Sequence, residues 1–275
     1  MLKIKKLFFF IIILLTVNYN LVFSKTNQLD YEIILTVNSP YLTINNVVKE
    51  IDPGRNTSPV LIKEWGRVVL PIRVIIESLG GEIYWYQDVR KVSITLDGNN
   101  INLWINNSVA NVNGSDKFID ETNPNVKPII INDRTMLPIR FVAENLGCSV
   151  NWIQNEKKVV INYSKKFIAD YKNEISLSLK EEEKGEIKLK LRNPLNEEIK
   201  LNLALYSINK PLNWLSEFCI KDICFFEKGE ISLKSNEEKD VEIYIYTKGK
   251  GVGEFIFCVS YEDHKECINI KINGG

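Results

Sequence analysis

Cys258 and Cys267 flank Glu262-Asp263, and a disulfide is the chemistry that this spacing suggests first. If those two acidic residues form a hairpin turn, Cys258 falls directly opposite Cys267. Facing β-carbons there lie about 4.5–5.5 Å apart, within reach of a bridge for a non-hydrogen-bonded pair. Cys219 and Cys224 enclose four residues and could close a small loop. Crossed pairings stay open, because four cysteines allow three connectivities. The rival use of four thiolates, a zinc site, wants closely spaced pairs at both ends, and the eight-residue gap between Cys258 and Cys267 fits it poorly. The fifth cysteine, Cys148, follows a helix-like segment and reads as a buried thiol.

The remaining candidate chemistry is sparse. There is one histidine, His264, so any Ser–His or Cys–His pair would have to use it. No Gly-x-Ser-x-Gly elbow, no His-Glu-x-x-His and no phosphate-cradling glycine loop occurs. Glu181-Glu182-Glu183 reads as a solvated charge run. No catalytic residue, metal ligand or cofactor is assigned. Arg73 with Glu77, and Arg140 with Glu144, stand four apart on helix-like segments. They could form a duplicated ligand site, but the simpler reading is a structural pair on an open helix face. Tyr84, Tyr86, Trp104 and Trp65 are the candidate ligand-binding residues, as aromatics that could stack on sugar rings or a protein partner. Packing of one part of the chain on another is the simpler alternative for them. Trp85 and Trp152 read as core.

These residues are positioned by a repeat. Arg67-Val68-Val69-Leu70-Pro71-Ile72-Arg73 is answered by Arg134-Thr135-Met136-Leu137-Pro138-Ile139-Arg140, and the match runs on through Glu77/Glu144, Leu79-Gly80/Leu146-Gly147 and Trp85/Trp152. At a constant offset of 67, 13 of the 30 positions from Arg67 to Leu96 are identical, which rules out coincidence. Upstream the offset is 68, with Ile51-Asp52 matching Ile119-Asp120. Each unit reads as strands, a helix, then strands. Pro71 and Pro138 stand where a helix begins. Ile72, Ile75, Ile76 and Leu79 make one apolar stripe, Ile139, Val142, Ala143 and Leu146 repeat it, and Gly80 and Gly147 supply the caps. A helix with one apolar stripe must cover a sheet, so the fold expected for residues 30–164 is α+β. It comprises two ββαββ-type units, about 33–98 and 99–164, each an antiparallel sheet with one short helix.

The run Asn-Asp-Arg-Thr-Met-Leu-Pro-Ile-Arg-Phe-Val-Ala-Glu-Asn-Leu-Gly, followed by Val150-Asn151-Trp152 and Val159-Val160-Ile161, resembles the copper amine oxidase N-terminal-like domain. This stalk domain recurs in envelope proteins of Gram-positive bacteria, and the resemblance covers Ile33 to Tyr163. It implies fold and family rather than activity. Copper is not implied either, since the oxidase active site needs three histidines and a tyrosine-derived quinone in a separate catalytic domain, and this chain has one histidine.

Beyond Tyr163 the composition shifts to about seven short alternating strands punctuated by turns, the signature of a β-sandwich over residues 165–275. Leu191-Arg192-Asn193-Pro194, Pro211-Leu212-Asn213-Trp214 and Leu233-Lys234-Ser235-Asn236-Glu237 resemble motifs of immunoglobulin-like accessory domains that accompany carbohydrate-active and envelope modules.

At the other end, Lys3, Lys5 and Lys6 precede the apolar run Leu7 to Val17, and Val22-Phe23-Ser24 suits a signal peptidase. Residues 1–24 are therefore expected to be a cleaved signal peptide, with an uncleaved anchor as the alternative. Acidic and basic residues both number 35, which gives no global field for nucleic acid or for a membrane surface; membrane contact is expected only transiently, through the signal. The expected protein is secreted, associated with the cell surface and non-catalytic, a scaffold or adaptor for a cell-wall polymer or an envelope protein. A polysaccharide-binding accessory module is the alternative, and a hydrolase is the more remote one.

Overall fold

The computed structural model describes residues 29–169 and 173–275; the expected signal peptide lies outside them. The α+β expectation is overturned. The described residues form twenty-four strands and two helices of seven residues each, a nearly all-β protein. Two turns of helix are too short to form a layer, and the two helices bury only three and four side chains.

The first unit comprises β1 (Asp30–Thr36), β2 (Tyr41–Ile44), β3 (Val47–Glu50), β4 (Val60–Ile62), β5 (Arg67–Leu70), α1 (Arg73–Leu79), β6 (Glu82–Tyr86) and β7 (Lys91–Leu96). The second repeats the series as β8 (Asn99–Trp104), β9 (Val109–Val112), β10 (Ser115–Phe118), β11 (Ile129–Ile131), β12 (Arg134–Pro138), α2 (Ile139–Asn145), β13 (Ser149–Ile153) and β14 (Lys158–Ser164). No sheet belongs to one unit. One runs β13-β14-β1-β2-β3, another β10-β9-β8-β7-β6, and a third β11-β12-β5-β4.

The register carries a local symmetry. Ile33 lies opposite Ile161 in the β1–β14 ladder, and their repeat equivalents Ile101 and Ile94 face each other in β8–β7. In the third sheet Leu70 pairs with Leu137, its own equivalent in the other unit. A residue can face its own copy in an antiparallel ladder only across a two-fold axis. The two units therefore exchange their terminal strands around that axis and share one apolar core. The axis also explains why self-contained ββαββ layers do not form.

The helix stripes do face that core. Ile72, Ile75, Ile76 and Leu79, and Ile139, Val142, Ala143 and Leu146, are all buried. Pro138 caps α2, whereas α1 begins two residues after Pro71, with Ile72 as its cap. Gly80 and Gly147 adopt φ of 89° and 85°, the left-handed geometry that a helix stop needs and that most side chains resist.

The rest of the chain forms β15 (Ile168–Ala169), β16 (Glu174–Leu179), β17 (Lys184–Arg192), β18 (Ile199–Asn209), β19 (Leu215–Ile220) and β20 (Ile223–Phe225). It continues through β21 (Lys228–Leu233), β22 (Glu238–Tyr246), β23 (Gly251–Tyr261) and β24 (His264–Gly274). Sheets ordered β15-β17-β22-β19-β20 and β16-β24-β23-β18-β21 enclose a second apolar core, with Trp214, Phe218, Phe255 and Phe257 fully buried. Phe218 and Phe257 meet edge to face across the two sheets, 5.4 Å between centroids. Buried Asn193 donates to the carbonyls of Glu197, Leu233 and Lys234 and accepts from the Leu195 amide, so one amide side chain ties two loops.

Polar contacts hold the junction between the regions. Asp97, in the β7–β8 turn, takes a hydrogen bond from the Tyr163 hydroxyl and an ion pair from Arg192 at 3.0 Å. Burial raises the Asp97 pKa against the opposing pull of Arg192 and Lys165. The Glu266 side chain, 1% exposed, accepts the Phe167 and Ile168 amides at 2.8 and 3.1 Å and so fixes the chain where it enters the sandwich.

Candidate functional site

The repeat builds two grooves, each drawing residues from both units. The first, of 610 Å³, is floored by α1 and β6, which supply Arg73, Glu77, Trp85 and with the following turn Gln87; the second unit contributes Ile130 and Arg134. The other, of 690 Å³, has Arg140, Glu144, Trp152 and Gln154 at the equivalent places, with Leu61 and Arg67 contributed by the first unit. These volumes fall in the range of small-molecule sites.

Each groove is walled by an ion pair that crosses between units. Arg134 Nε pairs with Asp52, and its equivalent Arg67 Nε pairs with Asp120 at 2.7 Å. Burial works against both carboxylates. For Asp52, hydrogen bonds from Arg134 and Thr57 outweigh it; for Asp120, bonds from the Thr122 hydroxyl and amide and from Arg67 do so, and both are held below the usual aspartate value.

Within the grooves, Trp85 Nε1 donates to Gln87 Oε1 at 2.7 Å, and Trp152 Nε1 donates to Gln154 Oε1 at 2.5 Å. Both indoles are half-buried and pack against the core of the double repeat, so their reading as core residues holds in part. They lie on the core-facing side of β6 and β13, but these are edge strands with no neighbour to cover their outer flank. Arg73 Nη1 reaches Glu77 Oε1 at 3.2 Å and also donates to the Ile83 carbonyl; Arg140 and Glu144 stand at 3.4 Å. All four charged side chains remain about half exposed, so each pair keeps free donors and acceptors turned to the groove.

The aromatic candidates scatter by comparison. Tyr84, Tyr86 and Trp104 share one open sheet face, where Lys91 stands between Tyr86 and Trp104 in the ladder. Lys91 Nζ sits 4.4 Å from the centre of the Tyr86 ring, so that ring already has a cation partner. Tyr84 also borders the first groove. Trp65 lies apart from this face, packed on the core of the double repeat, with its carbonyl accepting from Asn123 at 3.4 Å. The residues that sequence reasoning passed over are Gln87 and Gln154 and the cross-unit Asp–Arg pairs. Identity at both copies of each was the signal available.

In the sandwich, Cys258 bridges Cys267 and Cys219 bridges Cys224, with Cα separations of 4.1 and 4.0 Å. Each pair is directly opposed in its ladder, and Glu262-Asp263 is the two-residue turn. All four sulfurs that a tetrathiolate zinc site would need are committed to these bridges. Cys148 is a free buried thiol, its pKa pushed up to about 12 by burial and by Asp97. His264 lies in the sandwich, its Nε2 3.2 Å from Glu266 and its ring edge-on to Phe167. One imidazole held in this way does not fit a copper centre, which wants several. No helix among the described residues is long and apolar enough to cross a membrane.

No curated protein sequence matches the chain. Among solved structures, partial likenesses include the PapD-like domain of human CEP192, 14% identical over 38% of this chain and 82% of that one, with a TM-score of 0.26. A family 123 glycoside hydrolase from Clostridium perfringens is 10% identical over 38% of this chain and 23% of its own, at 0.30. The S-layer protein rSbsC is 9% identical over 86% of this chain and 32% of its own, at 0.24. Scores this low say nothing of activity or ligand. The sequence signature of the copper amine oxidase N-terminal domain matches twice, at residues 54–161 and 119–188, the second match running past the repeat into β17. The double repeat described above is thus a copper amine oxidase N-terminal domain, and this region of the chain belongs to that family.

Proposed function

We propose that the protein is an exported, non-catalytic scaffold of the cell envelope, holding a cell-wall polymer or an envelope protein through its double repeat. The observation that carries this reading is the pair of equivalent grooves, each walled by an ion pair that spans both units. Two copies of one surface serve avidity. The carboxylates Asp52 and Asp120 support the same side, because their pKa values move down, away from the range that a general acid needs. Two disulfides accord with an oxidising exterior.

Co-sedimentation of the secreted protein with purified cell walls, before and after protease treatment of the walls, tests the reading and separates polymer from protein partner. Protein that stays in the supernatant in both cases would overturn it. Mass spectrometry of the secreted form should find a chain starting after Ser24.

A further inference from the structure

The internal repeat offers a comparison that needs no second protein. Buried residues recur in both units because one core requires them. Exposed residues have no such constraint, and on the open faces they diverge, as in Tyr84 against Asn151 and Tyr86 against Ile153. Tyr84 borders the first groove and diverges with them, but a set of four other groove residues does not. Arg73, Glu77, Trp85 and Gln87 recur as Arg140, Glu144, Trp152 and Gln154, although the Arg and Glu side chains are about half exposed in both copies. Surface ion pairs of this kind add little to stability, too little by itself to account for their joint retention beside the tryptophans.

The chemistry of the lining restricts the ligand. The second groove holds two guanidinium groups and two carboxylates, Arg140, Arg67, Glu144 and Asp120, paired one to one; the first holds the same pairs in Arg73, Arg134, Glu77 and Asp52, with the exposed Asp133 as a further carboxylate. A polyanion would find its counter-charge already neutralised in both grooves, and a polycation would find it neutralised in the second. What remains on offer is a half-buried indole, whose Nε1 is tied to a glutamine, beside a fork of donors and a carboxylate of acceptors. A pyranose ring presents the complement: an apolar face of C–H groups and an equatorial rim of hydroxyls that donate and accept.

We propose that the two grooves are equivalent subsites for pyranose rings of an uncharged glycan, with Trp85 and Trp152 as stacking surfaces and the Arg73–Glu77 and Arg140–Glu144 pairs as hydroxyl clamps. The proposal rests on the reading of the double repeat as a partner-holding module and names the ligand class. It differs from a site on the open face of Tyr84, Tyr86 and Trp104, which has no copy in the second unit.

The test titrates the full secreted chain with cellohexaose, chitohexaose and maltohexaose, following tryptophan fluorescence and heat, with polygalacturonate as the polyanion control. At least one neutral hexasaccharide should bind at two sites per chain. Glu77→Gln should leave one site intact, and Glu77→Gln with Glu144→Gln should weaken both by about tenfold, the loss expected for a hydrogen bond to a charged group. Both substitutions are isosteric and on exposed side chains, so the fold should survive them. Failure of all three sugars, a preference for polygalacturonate, or binding unchanged in the double variant would each overturn the assignment. Displacement of bound sugar by an extended peptide added along β6 or β13 would do so as well, since it would make the groove a strand-docking site. If the chain sediments with cell walls yet binds none of the sugars, the groove assignment falls and the envelope scaffold stands; sugar binding without wall binding would have the opposite meaning.

Discussion

The double repeat and the sandwich solve the problem of cohesion differently. In the sandwich, both disulfides join strands that a hairpin already places side by side, β19 with β20 and β23 with β24. In the double repeat no bridge exists among the described residues, and the holding contacts come from far along the chain, β1 with β14 and β5 with β12. The covalent links thus lie where the topology is most local. Where the topology is least local, order depends on burial, on strand ladders and on the ion pairs that cross between units. It follows that neither unit of the repeat is a folding unit, whereas the sandwich carries its partners within itself.

The strongest way to break this contrast is to cut the repeat. A fragment of residues 99–164 should show no cooperative unfolding, because β14 loses β1 and β8 loses β7. A folded fragment by circular dichroism would mean that the units are autonomous after all. Next in size, Leu79→Ala or Leu146→Ala should cost about 2–5 kcal/mol in denaturant unfolding, since both leucines are buried in the shared core. A cost well below that range would place the stripes outside it. Reduction of the disulfides should loosen only the sandwich and leave the repeat transition where it was. Each short closed loop contributes at most about 2–3 kcal/mol by extrapolation, so a repeat domain that unfolds on reduction would show that the two regions share their stability.

The smallest effect is electrostatic. Asp52 and Asp120 titrate below 3.8 when folded, so the folded state gives up these protons more readily than the unfolded chain. Their stabilising contribution is present above that value and is lost as pH falls through their folded pKa values. Denaturant midpoints of the repeat should therefore drop as pH falls below about 4, and the Asp52→Asn, Asp120→Asn double variant should flatten that slope.

The sequence made the repeat, the two helix stripes with their glycine stops and the Cys258–Cys267 register legible, because each depends on spacing within one short segment. Strand partnership was not legible. Alternation in β7 or β14 says which face is buried but not which strand lies alongside, and the swap of β1 onto β14 spans more than a hundred residues. The fold class followed that error, since seven-residue helices look from their stripes like covering layers. The two grooves were hidden for the same reason. Arg67 and Asp120 become a groove wall only once the units interlock, and Trp85 keeps one flank open because β6 is an edge.

The direction in which strands meet at the ends of each region also sets how it would answer a mechanical load. Tension applied through Asp30 and Ser164 pulls on the same end of the antiparallel β1–β14 ladder, where these two residues face each other. The ladder would open like a zipper, one hydrogen bond at a time. In the sandwich, β16 runs parallel to β24, from Glu174 opposite Asn269 to Leu179 opposite Gly274. Tension through Glu174 and Gly274 slides those strands along their length and loads the whole row at once. A stretched chain would give way first in the repeat, while the sandwich held as a clamp.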